Sequence, residues 1–149
     1  MSIKFESRSV NEAFARQAVG AFASQLDPTM EELGDIKTVV SEAVTNAIVH
    51  GYADRSGFIT VAVRLFEGRA LEIKIKDTGC GIPKASITKI WERFYKLDAS
   101  RGKDRKGTGL GLSIVKEIIT AHNQNINVIS TEGVGTEFIF TLAKGEAPK

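Results

Sequence analysis

The chain has 149 residues, 42% of them hydrophobic and 26% charged, the size and make-up of one globular domain spanning residues 1–149. A formal charge of +2 is too small to imply a nucleic-acid or membrane partner by itself. A single cysteine, Cys80, excludes an internal disulfide, and neither an apolar leader in MSIKFESRSV nor a run near the ~20 apolar residues of a membrane span is present, so the expected location is cytoplasmic.

Ile3 and Phe5 alternate with polar neighbours and predict a short first strand. "NEAFARQAVGAFASQL" has helical periodicity, with Phe14, Ala15, Ala18, Phe22 and Leu26 on one side. In "DPTMEEL", Thr29 followed by Glu32 predicts a capping box that opens a second helix, which runs to about Gly51. Ile59, Val61, Val63 and Leu65, then Leu71, Ile73 and Ile75, alternate as two strands joined by a turn at "FEGRA". A short helix holding Ile87, Ile90 and Trp91 is expected after "DTGCGIP". Residues 96–109, "KLDASRGKDRKGTG", have the composition of a loop. "LGLSIVKEIITAH" predicts a helix, and "NINVIS" and "TEFIFTL" a closing hairpin. The order β-α-α-β-β-α-α-β-β predicts an α+β, two-layer sandwich in which the helices cover a sheet.

Three stretches carry polar residues where packing alone does not ask for them. In "VVSEAVTNAIVHGY", residues 39–52, Glu42, Asn46 and His50 share one helical stripe beside apolar side chains. On a pocket wall the Glu could polarise an attacking hydroxyl and the Asn could offer Mg²⁺ a neutral oxygen; a solvent-facing stripe gives the same pattern. His50 fits the negative end of the helix. Asp77 ends an alternating strand ahead of Gly79 and Gly81, where a carboxylate accepts hydrogen bonds from the exocyclic amine of adenine and repels the carbonyl of guanine; a plain glycine turn is the alternative. In "GTGLGL", Gly107, Thr108, Gly109, Leu110, Gly111 and Leu112 open a helix whose amides could hold phosphate, with Arg101, Lys103, Arg105 and Lys106 just before them; a flexible loop entering a helix, with the basic residues simply solvated, gives the same pattern. Thr136, after Gly135, could hydrogen-bond near the adenine; a plain hairpin threonine fits equally well. Taken together, the three stretches point to ATP with Mg²⁺.

In this order they resemble the N, G1 and G2 boxes of the GHKL ATPases, the superfamily of DNA gyrase B, Hsp90 and histidine kinases. That resemblance implies a Bergerat ATP-binding fold with a mixed sheet and helices on one face. Residues 1–52 look like the sporulation anti-sigma factor serine kinases. By that likeness Glu42 is the base, Asn46 binds Mg²⁺, Arg16 contacts a sigma factor, the phosphoacceptor is an anti-anti-sigma protein, and a homodimer is possible. Residues 77–142, with "IWERFYKLDASR" and "EGVGTEFIFTL", look like a sensor histidine kinase catalytic domain, which places Phe94 and Lys96 at the lid and phosphate side and makes a phosphoacceptor domain the alternative partner. The two likenesses raise the expectation of a chimera joined within 53–76.

Overall fold

The computed structural model describes residues 1–51, 57–66, 70–92, 111–124 and 126–143. In chain order these form β1 (Ser2–Glu6), α1 (Val10–Ala23), a 3-10 turn (Ser24–Leu26), α2 (Met30–Asn46), a π-helical turn (Ala47–Gly51), β2 (Phe58–Phe66), β3 (Ala70–Asp77), a 3-10 turn (Lys84–Ser86), α3 (Gly111–Ala121), β4 (Ile126–Thr131) and β5 (Gly135–Ala143).

The strands make one sheet in the order β1-β2-β3-β5-β4. All four pairings are antiparallel, which corrects the expectation of a mixed sheet. Two hairpins build most of it, and β5 returns alongside β3 in the opposite direction, so no parallel pairing arises among the described residues. Strand alternation then sorts the two faces. Ile59, Val61, Ile73, Ile75, Phe138 and Phe140 point to the helices and are buried. Arg64 and Lys76 point away and stay exposed. Each large apolar side chain buried on this face contributes roughly 1.5–3 kcal/mol.

The predicted capping box forms: Glu32 N–H donates to Thr29 Oγ1 at 3.0 Å, and Thr29 N–H donates to Glu32 Oε1 at 2.8 Å. The stripe expected for α1 is offset. Ala15, Val19 and Ala23 are fully buried and Leu26 is buried, whereas Phe14 is 51% exposed and meets Phe5 edge-to-face. The small residues face α2 because two helices approach closely only where side chains are short. Residues 87–91 are turns and not the expected helix, although Ile90 is buried and Trp91 packs edge-to-face on Phe138. The second helix does reach Gly51, but its last turn widens to π geometry directly after Asn46. No helix among the described residues is long and apolar enough to cross a membrane.

Candidate functional site

Two structural units carry the sequence-predicted residues. The first is the seam between α2 and α3. Val39 and Ala43 of α2 and Val115 and Ile119 of α3 are fully buried, so the two helices pack closely. Glu42 lies on this seam, half-buried, with its Oε2 against Gly111, the first residue of α3: a Cβ there would sit 2.6 Å from that oxygen. Asn46, one turn beyond Glu42, is also half-buried. Loss of water raises the pKa of Glu42 above the ordinary 4.5, and the negative charge of Glu12 on α1 raises it further.

Glu12 in turn lies 3.3 Å from Arg16 Nε, one turn along α1. That distance pairs the charges, but the groups are not aligned as a hydrogen bond. Arg16 is thus paired with Glu12 on α1, its side chain 38% exposed. The sequence reading missed Glu12; its position four residues before Arg16 was the available signal.

The second unit is the turn after β3. Asp77 is buried at 5% exposure, and its Oδ1 accepts the Gly79 N–H at 2.9 Å. Burial raises its pKa above 3.8, while hydrogen bonds from the Gly79 and Thr136 backbones pull the other way. Thr136 is the register partner of Asp77 on β5 and is likewise buried. The turn closes on the β4–β5 hairpin: Gly133 N–H donates to the Cys80 carbonyl at 2.7 Å, and Ile82 N–H donates to Ser130 Oγ at 2.7 Å. Ser130 Oγ donates to the Gly135 carbonyl at 3.0 Å and lies 2.8 Å from Thr136 Oγ1. With its one proton on Gly135, Ser130 must accept from the Thr136 hydroxyl, which leaves Thr136 Oγ1 as an acceptor for anything beside it. Ser130 was also missed; a serine on the core-facing side of β4, in line with Ile126 and Val128, was its signal.

Two glycines have steric reasons to be here. Gly81 has φ +75, and a Cβ on it would lie on the Thr131 carbonyl oxygen; a Cβ on Gly135 would lie on the carbonyl oxygen of Asp77. Leu112 packs partly buried against the core beside Gly111. The π-helical turn after Asn46 touches β3, the strand that ends in Asp77. Lys96, Gly107, Thr108, Gly109, Leu110 and the side chain of His50 lie outside the described residues.

This arrangement suits an adenine nucleotide. A buried carboxylate held by backbone amides can only accept, and the acceptor Thr136 Oγ1 is next to it. For a divalent cation the donor set is thin: no group of three or more His, Cys, Asp or Glu among the described residues could hold a metal. An Asn46 amide oxygen fits Mg²⁺ that brings phosphate oxygens and waters with it. A depression of about 290 Å³ opens at this second unit, lined by Asp77, Ser130 and Thr136 together with Lys76, Thr78 and Glu137 among others.

Residues 32–146 match the family described as histidine kinase-, DNA gyrase B- and HSP90-like ATPases. Among curated relatives, the anti-sigma F factor of Clostridium acetobutylicum is 43% identical over 139 residues, covering 93% of this chain and 90% of its own. That of Priestia megaterium is 42% identical over 137 residues, covering 91% and 86%. Both alignments run past the 53–76 region where the sequence placed a seam. Among solved structures, the mycobacterial sensor histidine kinase MprB superposes with a TM-score of 0.64 at 20% identity, over 95% of this chain and 98% of its own, a likeness of fold. The Erythrobacter litoralis EL346 blue-light activated histidine kinase gives 0.60 at 26% identity, over 79% and 32%. The chain belongs to this ATPase family and, by its curated relatives, to the anti-sigma F factors within it.

Proposed function

We propose that the protein is an ATP-dependent protein kinase of the anti-sigma type. In the cytoplasm it transfers the γ-phosphoryl group of ATP to a serine of an anti-anti-sigma partner, and it sequesters a sigma factor. The observation that carries this reading is the Glu42 carboxylate, half-buried with a raised proton affinity at the start of α3 and one turn from Asn46. A carboxylate in that state is a stronger base than one in water, which is what a serine hydroxyl requires.

In the proposed reaction the serine Oγ attacks the γ-phosphorus and forms the new O–P bond. The bond from that phosphorus to the β–γ bridging oxygen breaks, and ADP leaves with the electron pair. The serine proton passes to Glu42. Asp77 and Thr136 hold the adenine, and Asn46 is the residue that would hold Mg²⁺. When bound, the metal ion neutralises charge on the phosphates. Lys96 and the amides of residues 107–112 are assigned to the phosphates, and Arg16 to an acidic group on the sigma factor.

Incubation of the protein with Mg-ATP labelled on the γ-phosphate and an anti-anti-sigma protein should yield acid-stable phosphoserine. Glu42→Ala should abolish the product while the variant still binds ATP. Nucleotide binding without transfer would reduce the protein to a binding module. Acid-labile phosphohistidine on a supplied phosphoacceptor domain would favour the histidine kinase alternative.

A further inference from the structure

We propose that Gly111 is the seat of the Glu42 carboxylate, and so a positioning residue for the base, beyond any part the glycine-rich segment plays toward phosphate. The functional half of this inference rests on the reading of Glu42 given above. Its structural half stands alone.

Glycine at position 111 is not required by the backbone, since its φ lies outside the positive range that favours glycine. A helix start accepts most residues, and alanine would have the higher helix propensity. What excludes a side chain is space. A Cβ at 111 would lie 2.6 Å from Glu42 Oε2, and the next nearest atoms, Cδ and Cβ of the same glutamate, are at 3.7 and 3.9 Å. The three nearest atoms therefore all belong to one flexible side chain, and the tight contact is with its charged tip.

The surroundings decide which partner yields to an added methyl. The helix axes are held by fully buried Val39, Ala43, Val115 and Ile119, and the far end of the seam is tied by His122 Nε2 to Asp35 Oδ2 at 3.0 Å. Moving α3 would disturb all of these; swinging the carboxylate disturbs none. A methyl at 111 thus displaces the Glu42 tip and leaves the fold in place.

The test is Gly111→Ala in the full chain, with three readouts. The variant should fold, by far-UV circular dichroism and melting temperature. The pH titration of the Glu42 carboxyl ¹³C signal, followed without nucleotide, should move toward the ordinary glutamate value as the group swings into water. In the phosphotransfer assay at saturating ATP kcat should fall at least tenfold, as displacements near 1 Å do, with the ATP Kd measured in parallel so that any change in phosphate binding is read separately. An unchanged Glu42 titration overturns the seat, as does lost ATP affinity with that titration unmoved. An unchanged kcat beside a shifted titration overturns the positioning role.

Should Gly111→Ala fail to fold, the same change in a Glu42→Asp background decides the matter. The shorter side chain vacates the contact, so the double variant should fold; if it does not, the obstruction is not Glu42. If the parent protein transfers no phosphoryl group, the kinase reading fails by itself, and the carbon titration still reports on the seat.

Discussion

His122 Nε2 lies 3.0 Å from Asp35 Oδ2, which joins the residue just past α3 to the first half of α2. The contact closes one end of the seam whose other end holds Glu42 against Gly111. The two side chains are 20% and 35% exposed, so solvent weakens the pair without abolishing it. A double-mutant cycle with His122→Ala and Asp35→Ala should return a coupling of about 0.3–1 kcal/mol from urea midpoints.

Glu42 and Asp77 both bind a proton more tightly in the fold than in the unfolded chain, chiefly because burial penalises their charge. Between the unfolded values, 4.5 and 3.8, and the raised folded ones, the native state carries more protons than the unfolded state. Their share of stability therefore falls as pH rises through that interval and returns as pH drops back through it. Glu42→Gln should melt above the parent at pH 7–8, with the difference closing toward pH 4.5. A difference independent of pH would contradict the raised value. Glu12→Gln removes the like charge, so the acid limb of the phosphotransfer pH profile should move to lower pH.

In the proposed reading Asp77 is the acceptor for the adenine amine. Replacing it by Asn supplies a donor in its place and removes a charge-assisted hydrogen bond worth about 1.5–3 kcal/mol. ATP affinity should fall roughly 10–100-fold by calorimetry, with discrimination against GTP reduced. Unaltered affinity would mean that the purine binds elsewhere.

Gly81 combines a φ of +75 with the Thr131 carbonyl at the place of its missing side chain. Gly81→Ala should cost about 1–3 kcal/mol, read as a lower urea midpoint, and should weaken nucleotide binding by moving the Asp77 turn. The Thr29 cap separates stability from site effects. Thr29→Ala should cost about 1 kcal/mol and leave the ATP Kd unchanged.

Much of the fold could be read from neighbouring residues. Alternation in Ile59–Val63 and in Leu71–Ile75 marked β2 and β3, and the Thr29/Glu32 spacing marked the start of α2. Phe14 misled because periodicity identifies an apolar stripe but not which edge of it a neighbouring helix will cover. Residues 87–91 misled because apolar spacing over so few residues carries no information about helix nucleation. The antiparallel pairing of β3 with β5 was not legible either, since strand order depends on where a distant hairpin lands.

By itself the sequence determined the alternating faces of β2 and β3, the start of α2 and the residue types proposed to meet adenine, metal ion and phosphate, because each of these is a property of consecutive side chains and local torsion. Only the tertiary structure decided that Glu42 rests on Gly111, that Glu12 raises its proton affinity, and that Ser130 ties the Asp77 turn to the β4–β5 hairpin. Those relations join segments far apart in the chain. They are set by how helices and strands close over a shared core, where the position of one side chain depends on the volume that another leaves empty.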